Sequence, residues 1–170
     1  MSELEHFRYL KDEFFRTDHH SPLTADQKRE FHGLNYFSEN HDLNLLVDVE
    51  RFDEHEEIQM QTTTGHIQSY TRYGRFKFKV NGQGAELTIY DGEHGYFLPF
   101  VDSLAGQETY GAGRYVEPEV AEDGRFHVDF NLAYNPYCAY NELYSCPITP
   151  FENRINVPIR AGEKVFNGHV

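Results

Sequence analysis

From Arg75 to Tyr90 the apolar side chains fall on every second position, Phe76, Phe78 and Val80 before Asn81-Gly82 and Ala85, Leu87 and Ile89 after Gly84. A period of two puts each set on one face of an extended strand, and Asn-Gly supplies the left-handed backbone of a tight turn. The stretch therefore predicts an antiparallel hairpin. A two-residue and a four-residue loop both keep the parity, and either sets a lysine (Lys77 or Lys79) opposite Glu86 on the outer face.

Further strands read at Tyr96–Phe100 and Gly113–Glu117, and the same alternation recurs in Leu45, Val47 and Val49, in Ile58 and Met60, and over Arg125–Leu132 and Arg154–Arg160. In the last run Pro158 has no amide to donate, which predicts an edge strand there. About eight short strands at close spacing favour a mainly β (α+β) fold, an antiparallel β-barrel or sandwich, over a parallel α/β sheet. Short helices precede the strands. Leu4, Phe7, Leu10 and Phe14 recur at helical spacing within residues 2–16. Pro22 followed by Thr24 with Gln27 three residues on marks the start of a second helix, expected to end near Gly33. The chain is thus expected to form one domain, residues 1–170, with a helical segment (1–33) and a β-rich core (43–164).

Composition narrows the function classes. The net charge of −13 repels phosphate backbones and anionic membranes, which argues against nucleic acid and lipid as main partners. The first residues, Met1 to His6, lack a basic stretch followed by an apolar one, so a cytoplasmic location is expected. In that compartment Cys138 and Cys146 would be reduced. The aromatic residues are 14 Phe and 12 Tyr without Trp; so much Tyr suits a half-buried lining or ordinary strands.

Three stretches carry a family resemblance: Phe97 to Asp102 running on to Glu108–Tyr115, then Asp129 to Asn141, then Cys146 to Asn153 together with Arg160–Lys164. With Ser21-Pro22-Leu23 and Phe31-His32-Gly33-Leu34, they resemble the domain of unknown function family 1684, found in bacteria and archaea. Leu104, where the family often has Thr, and Thr149 within a proline-rich patch are small departures. The resemblance implies no particular activity.

The polar chemistry concentrates between Asp102 and Asn153. In Tyr110-Gly111-Ala112-Gly113-Arg114 the two glycines let backbone approach a ligand or a neighbouring strand, and Arg114 would clamp a carboxylate in two-pronged fashion or pair with an internal one such as Asp129. Asp129 and Asn131 alternate with an entirely apolar face. If that face packs outward, they line a polar cavity with Arg114; if it points inward, they lie on the surface. Tyr134, Asn135, Tyr140 and Asn141 follow in a loop rich in hydrogen-bonding groups, which would orient a ligand or merely cap its own turns. His127 shares the Asp129 face and is the histidine best placed for acid–base work.

Cys138 admits four readings: a nucleophile served by His66, His94 or His127; a metal ligand; one half of a redox pair with Cys146; or a small buried hydrophobe. Seven residues separate the cysteines, which is wide for a metal pair, and the sequence nominates no metal or cofactor. Two functions follow. The first is a small-molecule binding β-barrel for a polar or carboxylated metabolite, with or without an enzymatic step, using Tyr110, Arg114, Asp129, Asn131, Tyr134, Asn135, Tyr140 and Asn141. The alternatives are an interaction module, oligomerising through an exposed strand edge near Val157-Pro158-Ile159, and a Cys138-dependent hydrolase or redox enzyme.

Overall fold

A computed structural model describes residues 1–168. Helix α1 (Glu3–Thr17) begins at Ser2, whose side chain accepts from the Glu5 amide while Glu5 reaches back to Ser2. Helix α2 (Ala25–Arg29) starts in the same way, with Thr24 and Gln27 exchanging hydrogen bonds, and it is capped at Glu30, earlier than Gly33. Each pairing satisfies amides that the first turn would otherwise leave open.

Among the described residues nine strands follow: β1 (Asn44–Val47), β2 (Glu50–Arg51), β3 (Glu57–Gln61), β4 (Ile67–Val80), β5 (Gln83–Gly92), β6 (Gly95–Phe100), β7 (Arg114–Val116), β8 (Glu119–Val120) and β9 (Phe126–Asp129). They form two antiparallel sheets. The larger runs β2-β4-β5-β6-β7 with β3 also on β4, and the smaller runs β1-β9-β8. No closed barrel forms among the described residues, because neither sheet pairs its last strand with its first. Phe76, Phe78, Leu87, Ile89, Leu98 and Phe100 of the larger sheet share one core with Val47, Phe126 and Val128 of the smaller. The hairpin closes through two residues, Asn81 (φ 52°) and Gly82 (φ 82°), which selects the Lys77–Glu86 pairing.

Two expectations need correction. Residues 154–160 form no strand, and Val157 and Ile159 are buried, so the exposed edge assigned to them does not exist. Pro158 cannot donate to a ladder, and the Ile159 amide goes instead to the Asp102 carboxylate at 2.8 Å. The run 125–132 is a strand only to Asp129, after which Phe130–Leu132 turn as a 3-10 helix. Its apolar side points inward: Phe126, Val128 and Phe130 are buried in the core.

Candidate functional site

That inward orientation decides the fate of the polar face opposite. His127 is exposed, its Nε2 2.5 Å from Asn44 Oδ1 on the neighbouring strand. Asp129 caps the 3-10 turn, accepting from the backbone and the side-chain amide of Asn131. Asn131 is buried because it also ties down Asn40, through both its amide nitrogen and its oxygen. These residues secure a turn, and their partners do not include Arg114.

Arg114 is 1% exposed, and its guanidinium is spent inside the fold. It donates to the carbonyls of Ala161 (2.6 Å), Glu163 (3.0 Å) and Ile159 (2.8 Å), and its ionic partner, at 3.5 Å, is Asp102 rather than Asp129. Burial outweighs the attraction of Asp102 and Glu163 and lowers its pKa to about 10, leaving it charged at neutral pH. Asp102 is held in turn by Thr109 Oγ1 and the Ile159 amide. Gly113 makes the packing possible. Its φ is +101°, and a Cβ there would lie 2.5 Å from the Phe100 carbonyl oxygen.

A second buried centre forms around Glu163, 1% exposed, which accepts from Tyr140 (2.7 Å), the Asn135 amide (2.7 Å) and Lys11 (3.2 Å). Asn135 also donates to the Lys164 carbonyl, and Asn141 Oδ1 accepts from the Leu143 amide. Asn153, fully buried, makes three side-chain bonds to Thr88 and Pro99. The polar residues singled out in sequence therefore stitch long irregular segments to the sheets, because buried polar groups need partners.

The open space lies elsewhere. A cleft of about 1410 Å³ runs between α1 and the strand ends of β4, β5, β6 and β7. Ten of its lining residues are Phe or Tyr. Tyr70 stacks on Phe97 (centroids 5.2 Å), Phe97 meets Tyr115 edge-on (4.8 Å), and Tyr115 meets Tyr134 (5.8 Å), making one continuous wall. Tyr137 and Tyr144, 5.3 Å apart, add a second aromatic pair to the lining. Phe7, Leu10 and Phe14 of α1 line the same cleft, and Phe7 and Leu10 remain 44% and 53% exposed. Phe7 and Leu10 thus face this space, while Phe14 also packs against the buried cluster around Phe15.

Polar side chains interrupt the aromatic lining, among them Gln68, Ser69, Glu93, His94 and Glu117. Among the described residues Lys11 is the sole Lys or Arg in the lining, and it is paired with Glu163 and lies 5.2 Å from the centre of the Tyr134 ring. The Tyr134 hydroxyl donates to Glu117 at 2.7 Å; burial first, then that carboxylate, raises its pKa. Of the residues expected at a ligand, Tyr134 lines the cleft, whereas Tyr110, Arg114, Asp129, Asn131, Asn135, Tyr140 and Asn141 do not. Cys138 lies behind the lining, in contact with Cys146, which is part of it. Sequence reasoning missed Tyr70, Phe97, Tyr115, Tyr137 and Tyr144; the signal within reach was the α1 stripe and the tyrosine surplus. Away from the cleft, Asp18, His19 and His20 each bring one ligand atom within 4.8 Å of the others on a loop where both histidines are exposed.

Fold and site together define a two-sheet antiparallel protein, capped by a short helix, with an aromatic cleft and a polar lattice buried behind it. The chain belongs to the family of proteins of unknown function DUF1684, whose model matches residues 29–164. An uncharacterized protein of Haloarcula marismortui, solved in solution by NMR, is similar at 32% identity with a TM-score of 0.70, over 95% of this chain and 92% of that one. No curated protein matches. Among the described residues no helix is long and apolar enough to cross a membrane.

Proposed function

We propose that the protein binds a small molecule with a flat apolar body, neutral or cationic, in the cleft under α1. The observation that carries this reading is the half-exposed apolar stripe of Phe7 and Leu10, turned toward a concave aromatic surface. A soluble chain gains by burying such residues, at roughly 25 cal/mol per Å² removed from water, and this helix leaves them open to the space they line. Aromatic walls with a few fixed polar groups are the usual lining of ligand pockets, though 1410 Å³ exceeds the ordinary range and suits an elongated guest.

The charge of the guest follows from the side chains. The carboxylate-binding role first expected of Arg114 has no geometric support, since that cation faces backbone carbonyls. Lys11 is already paired with Glu163, while Glu93 and Glu117 stand in the lining and the chain carries a net charge of −13. An anionic guest meets repulsion here. Of the residues nominated from sequence, Tyr134 alone stays in the proposed binding set.

The test uses N-phenyl-1-naphthylamine as a neutral aromatic probe and 8-anilinonaphthalene-1-sulfonate as its anionic counterpart. The neutral probe should bind one per chain with a blue-shifted emission, and more tightly than the anion. Leu10→Asp and Tyr134→Ala should each weaken it about tenfold, the loss expected when one apolar contact or ring is removed from a buried guest. Equal binding of the neutral probe by the wild type and both variants would refute the assignment.

A further inference from the structure

Behind the cleft wall two thiols meet. Cys138 sits in the 3-10 turn Tyr137–Ala139, and its backbone amide donates to the Cys146 sulfur at 3.2 Å. The Tyr110 hydroxyl lies 3.7 Å from the Cys138 sulfur. The intervening loop returns because it is anchored at both ends. Asn141 caps the turn through the Leu143 amide, and Thr63 bonds both the Cys146 amide and the Tyr144 carbonyl. Both cysteines are thiols in this structure and about 5% exposed, and Cys146 contributes to the cleft lining.

Simple packing accounts for two small buried sulfurs. It does not account for their mutual contact together with hydroxyl groups of Tyr110 and Thr63 around one of them. We propose that Cys138 and Cys146 are a redox-active pair, in which a hydroperoxide oxidises Cys138 and Cys146 resolves the product as an intrachain disulfide.

The electron count closes in two steps. The Cys138 thiolate attacks one oxygen of the hydroperoxide; a sulfur–oxygen bond forms, the oxygen–oxygen bond breaks, and the departing hydroxide or alkoxide takes up a proton. The Cys146 thiol then attacks the sulfenic sulfur, the sulfur–sulfur bond forms, and the sulfenic oxygen leaves as water with the Cys146 proton. Two thiols have been oxidised and one peroxide reduced. A hydroperoxide suits the place because it is small enough to reach a cysteine that is 5% exposed.

The ionisation of the pair agrees with this division of labour. The contact with Cys146 is the largest influence on Cys138. With the Tyr110 and Thr63 hydroxyls it outweighs burial and lowers the Cys138 pKa to about 6. The same contact, then burial, pushes Cys146 up. The directions match the roles: the attacking sulfur is the one favoured as thiolate, and the resolving sulfur is the one that holds its proton.

The pair is tested on the full chain with hydrogen peroxide alone, with no guest in the cleft. In the wild type the count of free thiols, measured after denaturation, should fall from two to none. The intact mass should fall by two hydrogens, and peptide mapping should link Cys138 to Cys146. In Cys146→Ser the reaction should stop at a sulfenic acid on Cys138 that dimedone traps, and Cys138→Ser should react on the order of a hundredfold more slowly at neutral pH, because the remaining thiol is largely protonated. Tyr110→Phe should move the pH midpoint of the wild-type rate upward. The wild-type measurement stands without any variant, so a folding failure in a serine mutant does not rescue the idea. Persistence of two free thiols, a link between chains instead of within one, or equal rates in Cys138→Ser and the wild type would overturn it.

Discussion

Replacing Arg114 with Met tests whether that residue is a structural tie or a ligand group. Met keeps most of the apolar stem and removes the guanidinium. Three buried carbonyls, those of Ala161, Glu163 and Ile159, then lose their donor from Arg114. Each buried acceptor left unpaired costs about 1–3 kcal/mol. Asp102 loses its cationic partner but keeps the Thr109 hydroxyl and the Ile159 amide, so its own penalty is reduced. Against these losses, the desolvation of a buried guanidinium disappears and the Met side chain is itself buried. The net loss should lie near the roughly 3–5 kcal/mol typical of removing one member of a buried ion pair, a large part of a total stability on the order of 5–15 kcal/mol. Urea unfolding followed by far-ultraviolet circular dichroism gives the value directly, and tyrosine emission gives a second probe because the chain has no Trp. The thermal midpoint should fall by on the order of 10 °C. Neutral-probe binding by the folded fraction should be unchanged, since Arg114 is not among the cleft's lining residues. A stability loss under about 1 kcal/mol, or intact stability with abolished binding, would refute the account of Arg114 as a tie.

Three further outcomes follow from the same geometry. Burial raises Glu152, but hydrogen bonds from Arg72 and Tyr90 outweigh it and hold the carboxylate below its ordinary pKa. Its contribution is present above the unfolded value near 4.3 and lost as pH falls through the lower folded value, so Glu152→Gln should flatten the acid limb of a stability-versus-pH curve; an unchanged limb counts against it. Burial also raises Tyr90, Tyr115, Tyr134 and Tyr140. Stability should therefore be full below about pH 10 and decline above it, with these phenols ionising only on unfolding in an ultraviolet titration. Gly113→Ala should cost more than about 2 kcal/mol, combining left-handed strain with the clash at the Phe100 carbonyl, whereas Gly82→Ala, with φ +82° and nothing within 4 Å of its Cβ, should cost about 1 kcal/mol; equal losses in urea melts would contradict the contact argument.

What could be read from the letters is what local geometry alone decides. The hairpin parity from Phe76 to Ile89 and the cap at Thr24 each depend on a few nearby residues, and the glycines before Arg114 mark a close approach without naming its partner, the Phe100 carbonyl. The alternation in 154–160 misled because it records only burial. Val157 and Ile159 are indeed inside, yet the Ile159 amide is claimed by a carboxylate 57 residues earlier, and pairing with the neighbouring chain stops at one parallel bridge, Arg154 with Val101.

Arg114 shows the same limit from the other side. A buried arginine in a glycine-rich bend reads as a ligand clamp when its acceptors carry no sequence signature. Its acceptors here are backbone carbonyls 45 to 49 residues further on, which any sequence possesses. The α1 stripe was also visible, but helical periodicity cannot distinguish a face packed on a core from one left over a cleft. That distinction is tertiary, because it depends on which strand ends approach the helix and how closely. The side chains that build the lattice are long polar ones with distant backbone partners, and those that build the cleft are ordinary aromatics on strands and turns. A search for unusual polar residues therefore converges on the lattice. A ligand of flat apolar chemistry would be recognised by the residues that such a search passes over.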